Sequence, residues 1–250
     1  MALILESFRG GVKTITINRP KKKNALNRDM YLRIGEILNE DAKNDEIVVT
    51  ILTGAGDYFT SGNDLSSISF NSGPDEAIKP VEDMVKAFIN YPKLIICIVN
   101  GVAIGIGATI VALCDIVYAS DKATFDTPFL KLGLCVEGTS SLNFPLILGR
   151  SLASEIFFLN RRLTAQEALH YGLVSRIIPH NDLNNYINDL HKYGKLAVGT
   201  VKRNKAAIMA NFRQQFHECN KRELEVLKEC VNSEDFAKSM AQWFASRSKL

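Results

Sequence analysis

Three stretches of the chain carry residue types suited to chemistry: Phe59-Thr-Ser-Gly-Asn-Asp-Leu65, Asn100-Gly-Val-Ala-Ile-Gly-Ile-Gly107, and residues 125–141. In the first two, an apolar run ends in a loop of small residues that leave backbone N–H groups open to a close ligand. If a helix starts directly afterwards, those N–H groups and the positive helix end would stabilise negative charge developing on an oxygen. Either loop could equally be a tight turn serving packing, but the same arrangement at two similar strand ends favours the chemical reading. The third stretch holds Glu137, whose default reading is a loop glutamate facing water.

Other chemistries find little support. Gly105-Ile-Gly107 lacks the third glycine of a dinucleotide fingerprint, and neither a phosphate-binding G-x(4)-G-K-[ST] loop nor a G-x-S-x-G serine elbow occurs. The four histidines, His170, His180, His191 and His217, form no H-E-x-x-H and no close pairing with cysteine, so no metal site is expected. Cys97, Cys114, Cys135, Cys219 and Cys230 are odd in number and contain no C-x-x-C, which reads as buried free thiols in a reducing compartment.

The 250 residues suit one large domain with an appendage, and 46% hydrophobic against 23% charged residues excludes a disordered or collagen-like chain. A formal net charge of +3 is too small for a basic nucleic-acid stripe. Residues 94–114 carry no charge and match a membrane span in length, yet Asn100, Gly101, Gly105 and Gly107 fall in the middle. They read as a buried strand, a Gly-rich turn and a buried helix, so no membrane span is expected. The start of the chain lacks the features of a secretory signal. Ser248-Lys249-Leu250 spells a peroxisomal address, read by an import receptor, and implies the peroxisomal matrix.

The elements that must hold these stretches alternate. Two short strands flank Arg9-Gly10-Gly11, Asn27 caps a helix, and 47–52 reads as a fully buried strand ending in the turn 53–56. A helix over 75–90, a buried strand over 94–99 and a further strand over 115–119 repeat the pattern. Thr164-Ala-Gln-Glu167 is a capping box, Gly172 a helix C-cap, and residues 182–249 are helical in pattern. Their apolar stripes, among them Phe216, Leu224, Leu227, Phe236 and Met240, read as packing against the core or a second subunit rather than as ligand-binding. The expected class is α/β, with a core over 1–185 and a helical region over 186–250.

Several motifs together resemble the enoyl-CoA hydratase/isomerase (crotonase) superfamily. They are Asn18-Arg-Pro-Lys-Lys-Lys-Asn-Ala-Leu26, Ser61-Gly62-Asn63-Asp64-Leu65, Asn100-Gly101 through Gly107, Cys114-Asp115-Ile-Val-Tyr-Ala119 and Leu163-Thr-Ala-Gln-Glu-Ala168 with Gly172-Leu-Val174. The resemblance spans nearly the whole chain and implies a repeated ββα core, an acyl-CoA substrate and a homotrimer or hexamer. It also implies an oxyanion hole made by the Asn63 and Ile106 N–H groups, with Ser61, Gly62, Asn63, Asp64 and Leu65 around the substrate. CoA then enters as part of the substrate, with no further cofactor. Lys21, Lys22 and Lys23 either pair with CoA phosphates or are solvated, and no single lysine is assigned.

Thr109 and Phe129 stand where the family's hydratases carry their two glutamates. The Val136-Glu137-Gly138-Thr-Ser-Ser141 segment is similar to the stretch whose glutamate moves the proton in peroxisomal Δ3,Δ2-enoyl-CoA isomerases, with Val136 in place of a proline. Isomerisation of 3-enoyl-CoA by Glu137 is therefore the implied activity. Another reaction on acyl-CoA, hydration or thioester hydrolysis, and a non-catalytic acyl-CoA-binding module are the alternatives.

Overall fold

The structure is a computed structural model and describes residues 2–67 and 73–247. A hairpin of β1 (Ile4–Arg9) and β2 (Val12–Ile17) opens the chain, followed by α1 (Arg28–Asp41), whose Asn27 side chain caps the Met30 N–H at 3.1 Å. Three units then repeat one plan. They are β3 (Val49–Gly54), β4 (Tyr58–Thr60) and α2 (Pro74–Asn90); β5 (Leu94–Val99), β6 (Val102–Ile104) and α3 (Ile106–Thr109); and β7 (Ile116–Ser120), β8 (Thr124–Asp126), α4 (Ser140–Leu148) and α5 (Arg150–Leu159). β9 (Leu163–Thr164), α6 (Ala165–His170) and β10 (Arg176–Ile178) close the core. The helices α7 (Leu183–Leu190), α8 (Val198–Met209), α9 (Arg213–Val231) and α10 (Glu234–Arg247) follow.

Two sheets result. The larger runs β1-β2-β3-β5-β7-β10, parallel beyond its hairpin, and the smaller runs β4-β6-β8-β9. In each unit the chain leaves a long strand of the first sheet and turns into a short strand of the second. The long strands are buried on both faces, which is why they read as continuous apolar runs rather than alternating ones. Leu52, Cys97 and Val99 pack towards α1 and α2 with Ile34, Ile37, Met84 and Phe88. Val49, Ile51, Ile96 and Ile98 pack on the opposite side with Leu183 and Leu190 of α7.

The expected elements stand with small shifts. The strand expected over 47–52 lies two residues later, and the uncharged stretch 94–114 folds as β5, β6, the single turn α3 and a 3₁₀ turn. No helix among the described residues is long and apolar enough to cross a membrane. Thr164 and Glu167 form the expected capping box. The short strands β4, β6, β8 and β9 escape periodicity because two or three residues cannot display a period. Ser248, Lys249 and Leu250 lie outside the described residues.

Candidate active site

The Asn63 loop is held by the segment before α1. Leu26 donates to the Gly62 carbonyl at 2.8 Å, Asp64 returns an N–H to the Leu26 carbonyl at 2.8 Å, and Ser61 donates to the Lys23 carbonyl at 2.9 Å. Asn24, fully buried, donates to the Ala55 and Tyr58 carbonyls, and Thr60 Oγ1 donates to the Asn24 carbonyl. Asp64 turns to an ion pair with Arg19 at 2.6 Å, and Arg19 also donates to the Ala25 carbonyl. Against the desolvation that raises it, the Ser66 hydrogen bonds and then that pairing hold the Asp64 carboxyl below the usual range. These bonds commit the N–H groups on either side of Asn63: Gly62 donates to Thr60 Oγ1 and Asp64 to Leu26. Among the described residues the Asn63 N–H has no acceptor.

The second loop presents Ile106 in the same way. Gly105 adopts φ 57° and ψ −126°, a conformation open essentially to glycine, and its N–H donates to the Asp126 carbonyl at 2.8 Å. Ile106 is then the first residue of α3. The N–H groups of Ala108 and Thr109 return to the Gly105 carbonyl, whereas the Ile106 N–H has no acceptor among the described residues. Gly107 lies against Thr60: a Cβ there would sit 2.3 Å from Thr60 Cγ2. A helix starting at each loop was the expectation. It holds for Ile106, but among the described residues a three-residue 3₁₀ turn, Leu65–Ser67, and not an α-helix follows the Asn63 loop.

Both loops line one cavity of about 240 Å³. Ser61, Gly62, Asn63, Leu65, Gly105 and Ile106 contribute to its wall, as does Glu137, while Asp64 faces Arg19 instead. The rest is mostly apolar: Ile78 and Val81 from α2, Phe129, Leu132 and Leu134 from the loop before α4, Leu227 and Val231 from α9, and Phe236 from α10. Lys21, Lys22 and Lys23 are absent from that wall; Lys23 lies over the Tyr58 ring at 5.4 Å.

Glu137 is 7% exposed. Its Oε1 accepts from Thr109 Oγ1 at 3.4 Å, and its Oε2 has no hydrogen-bond partner among the described residues. Burial pushes its pKa up to about 8; the charge of Glu223 adds to this and the Thr109 bond offsets a little. A carboxyl so placed takes and returns a proton near neutral pH, and two unengaged N–H groups in the same cavity can bind a negative oxygen. Thr109 and Phe129, at the hydratase glutamate positions, place no second carboxylate beside it. Among the described residues no cluster of histidine, cysteine or acidic side chains is arranged to hold a metal ion.

Sequence reasoning missed Tyr31, Val231 and Glu223, and placed Leu227 and Phe236 in packing stripes. Tyr31, from α1, is a cavity-lining phenol that burial and the nearby Glu137 charge keep protonated. The α9 and α10 residues come from stretches 86 or more positions after Glu137 in sequence, with no local motif to mark them.

A ββα repeat in two sheets, with paired backbone N–H groups at its strand ends, defines a crotonase-type fold. The chain belongs to the enoyl-CoA hydratase/isomerase family, whose model matches residues 7–249. It is 39% identical over 92% of its length to rat enoyl-CoA delta isomerase 2 and 36% identical over 98% to mouse enoyl-CoA delta isomerase 3, peroxisomal. The chain spans 62% of the rat protein's length and 79% of the mouse protein's. A crystal structure of an enoyl-CoA hydratase/isomerase from Pseudoalteromonas atlantica T6c superposes with a TM-score of 0.91 at 35% identity, covering 98% of both chains.

Proposed function

We infer that the protein isomerises 3-enoyl-CoA to trans-2-enoyl-CoA, with Glu137 moving the proton. The observation that carries this reading is a single one: the buried Glu137 carboxylate, with one oxygen unpartnered, lines the same cavity as the Asn63 and Ile106 N–H groups. Glu137 removes the C2 proton, and the electron pair of that C–H bond passes into the conjugated system to give a dienolate with a negative thioester oxygen. The two N–H groups stabilise that oxygen, and its charge returns to reform the carbonyl. The double bond settles between C2 and C3 as the Glu137 carboxylic acid delivers its proton to C4. CoA enters as part of the substrate, and the steps as written use no metal or redox cofactor. The apolar wall from Ile78 to Phe236 suits an acyl chain, and the names of the delta isomerase relatives support the reading.

The setting proposed with it is oxidation of unsaturated fatty acids in the peroxisomal matrix, reached through an import receptor that reads Ser248, Lys249 and Leu250. The peroxisomal mouse relative supports this setting. Exposed Leu146, Phe158 and Leu159 on α4 and α5 support assembly as a homotrimer or hexamer. Product analysis with 3-enoyl-, 2-enoyl- and saturated acyl-CoA tests the reaction. Trans-2-enoyl-CoA from the first is expected. A 3-hydroxyacyl-CoA from the second as the main product would establish a hydratase instead, release of the CoA thiol a thioesterase, and tight binding without turnover a binding module.

A further inference from the structure

Helix α4, which begins three residues after Glu137, has no cap of its own. Its N-cap residue Thr139 is left-handed at φ 64°, and the Thr139 hydroxyl serves instead as acceptor for Asn143 Nδ2 at 2.7 Å. The preceding Gly138 is left-handed as well, which costs a glycine little, so Thr139 is the residue of this turn held in a sparsely populated region. What satisfies the turn comes from α9. Glu223 Oε2 accepts the Thr139 N–H at 2.6 Å and Oε1 accepts the Ser141 N–H at 2.8 Å. Glu223 is 5% exposed, and no cation is among the hydrogen-bond partners described for it.

We propose that Glu223 is a positioning residue: its carboxylate clamps the turn after Glu137 and so fixes where the Glu137 side chain stands in the cavity. The inference rests on the role given to Glu137 above. Capping alone needs only a local serine, threonine or aspartate at the helix start. A carboxylate supplied from 84 residues away does more, because Glu223, Leu227 and Val231 follow one another at four-residue steps and share a face of α9. Leu227 and Val231 line the cavity, so the helix that forms the acyl wall also holds the base. The clamp places a second acidic group beside Glu137, and that charge adds to burial in favouring the protonated form. The other groups facing Glu137 are Tyr31 from α1, Thr109 from α3 and Cys135 from its own loop; Cys135 and Cys219 also face Glu223, with Arg222 acting on Cys219 from a neighbouring position.

The test compares Glu223→Gln and Glu223→Asp with the wild-type chain. It measures kcat and KM on a 3-enoyl-CoA and the titration midpoint of Glu137 by carboxyl NMR. Glutamine keeps the length, accepts one of the two bonds and removes the charge. A slip of about 1 Å in a reacting group costs up to about 100-fold, so kcat should fall about 10- to 100-fold with KM held within about twofold. The Glu137 midpoint should move down in the same variant. Aspartate keeps the charge one methylene short, so kcat falls while the midpoint moves less. Wild-type kcat and an unmoved midpoint in a folded Glu223→Gln chain would overturn the clamp. A raised KM and lowered Tm with the midpoint unmoved would overturn it too, since that is what a purely structural role gives. If Glu223→Gln does not fold, wild-type kcat in Glu223→Asp overturns the clamp and a fall at constant KM upholds it. If the wild-type chain isomerises nothing, the reaction assignment fails, while a crystal structure of Glu223→Gln still decides the clamp: a displaced Glu137 side chain upholds it and an unmoved one overturns it.

Discussion

In the proposed reaction the Asn63 and Ile106 backbone N–H groups act and their side chains do not, so side-chain and backbone changes should have opposite costs. Asn63→Ala leaves the backbone donor in place, and turnover of a 3-enoyl-CoA is expected to stay within a few-fold of the wild type. Ile106→Pro deletes the donor at the first position of α3, a place where proline suits the helix but would restrict the preceding Gly105 turn. Loss of one good donor typically costs about 100- to 1,000-fold in rate, roughly 3–4 kcal/mol. Steady-state kinetics on chains with native circular dichroism would check both; normal turnover in folded Ile106→Pro would remove Ile106 from the site.

At the scale of elements, the site depends on how closely α3 approaches β4. Thr60 is wholly buried and committed at its hydroxyl to the Asn24 carbonyl and the Gly62 N–H, so it cannot move aside for a methyl group on Gly107. Gly107→Ala should therefore push the Ile106 N–H away from its place and lower kcat at least about 10-fold, with a smaller loss of thermal stability. A crystal structure of the variant with Ile106 unmoved and full activity would contradict this. The long strands and the two Gly-containing loops were legible because apolar runs broken by Gly and Asn have strong local signals. The smaller sheet was not, since β4, β6, β8 and β9 are each too short for a pattern. Its flanking motif singles out Glu137, which lines the cavity, but nothing local marks Glu223, which sits in an ordinary run of charged helix and meets the Thr139 and Ser141 N–H groups only through tertiary packing.

Across the whole molecule, the buried carboxyl exacts a pH-dependent cost. The pKa of Glu137 rises from an ordinary 4.5 to about 8 on folding, so the folded chain binds its proton more tightly than the unfolded one. Its contribution to stability is present in full below about pH 4.5 and is lost as pH rises towards 8. Glu137→Gln removes that loss, so the Tm of the variant relative to the wild type should increase between pH 5 and about 8.5, read by thermal melts at matched ionic strength. A constant difference across that range would show that the carboxyl is not held protonated by the fold. The function claimed for the molecule, however, rests on one group, and the direct measurement is the rate at which Glu137→Gln converts 3-enoyl-CoA to 2-enoyl-CoA. With CoA binding and fold preserved, the rate should drop at least about 100-fold, the lower end of the effect of removing a general base. Wild-type turnover by a correctly folded Glu137→Gln chain would contradict the assignment.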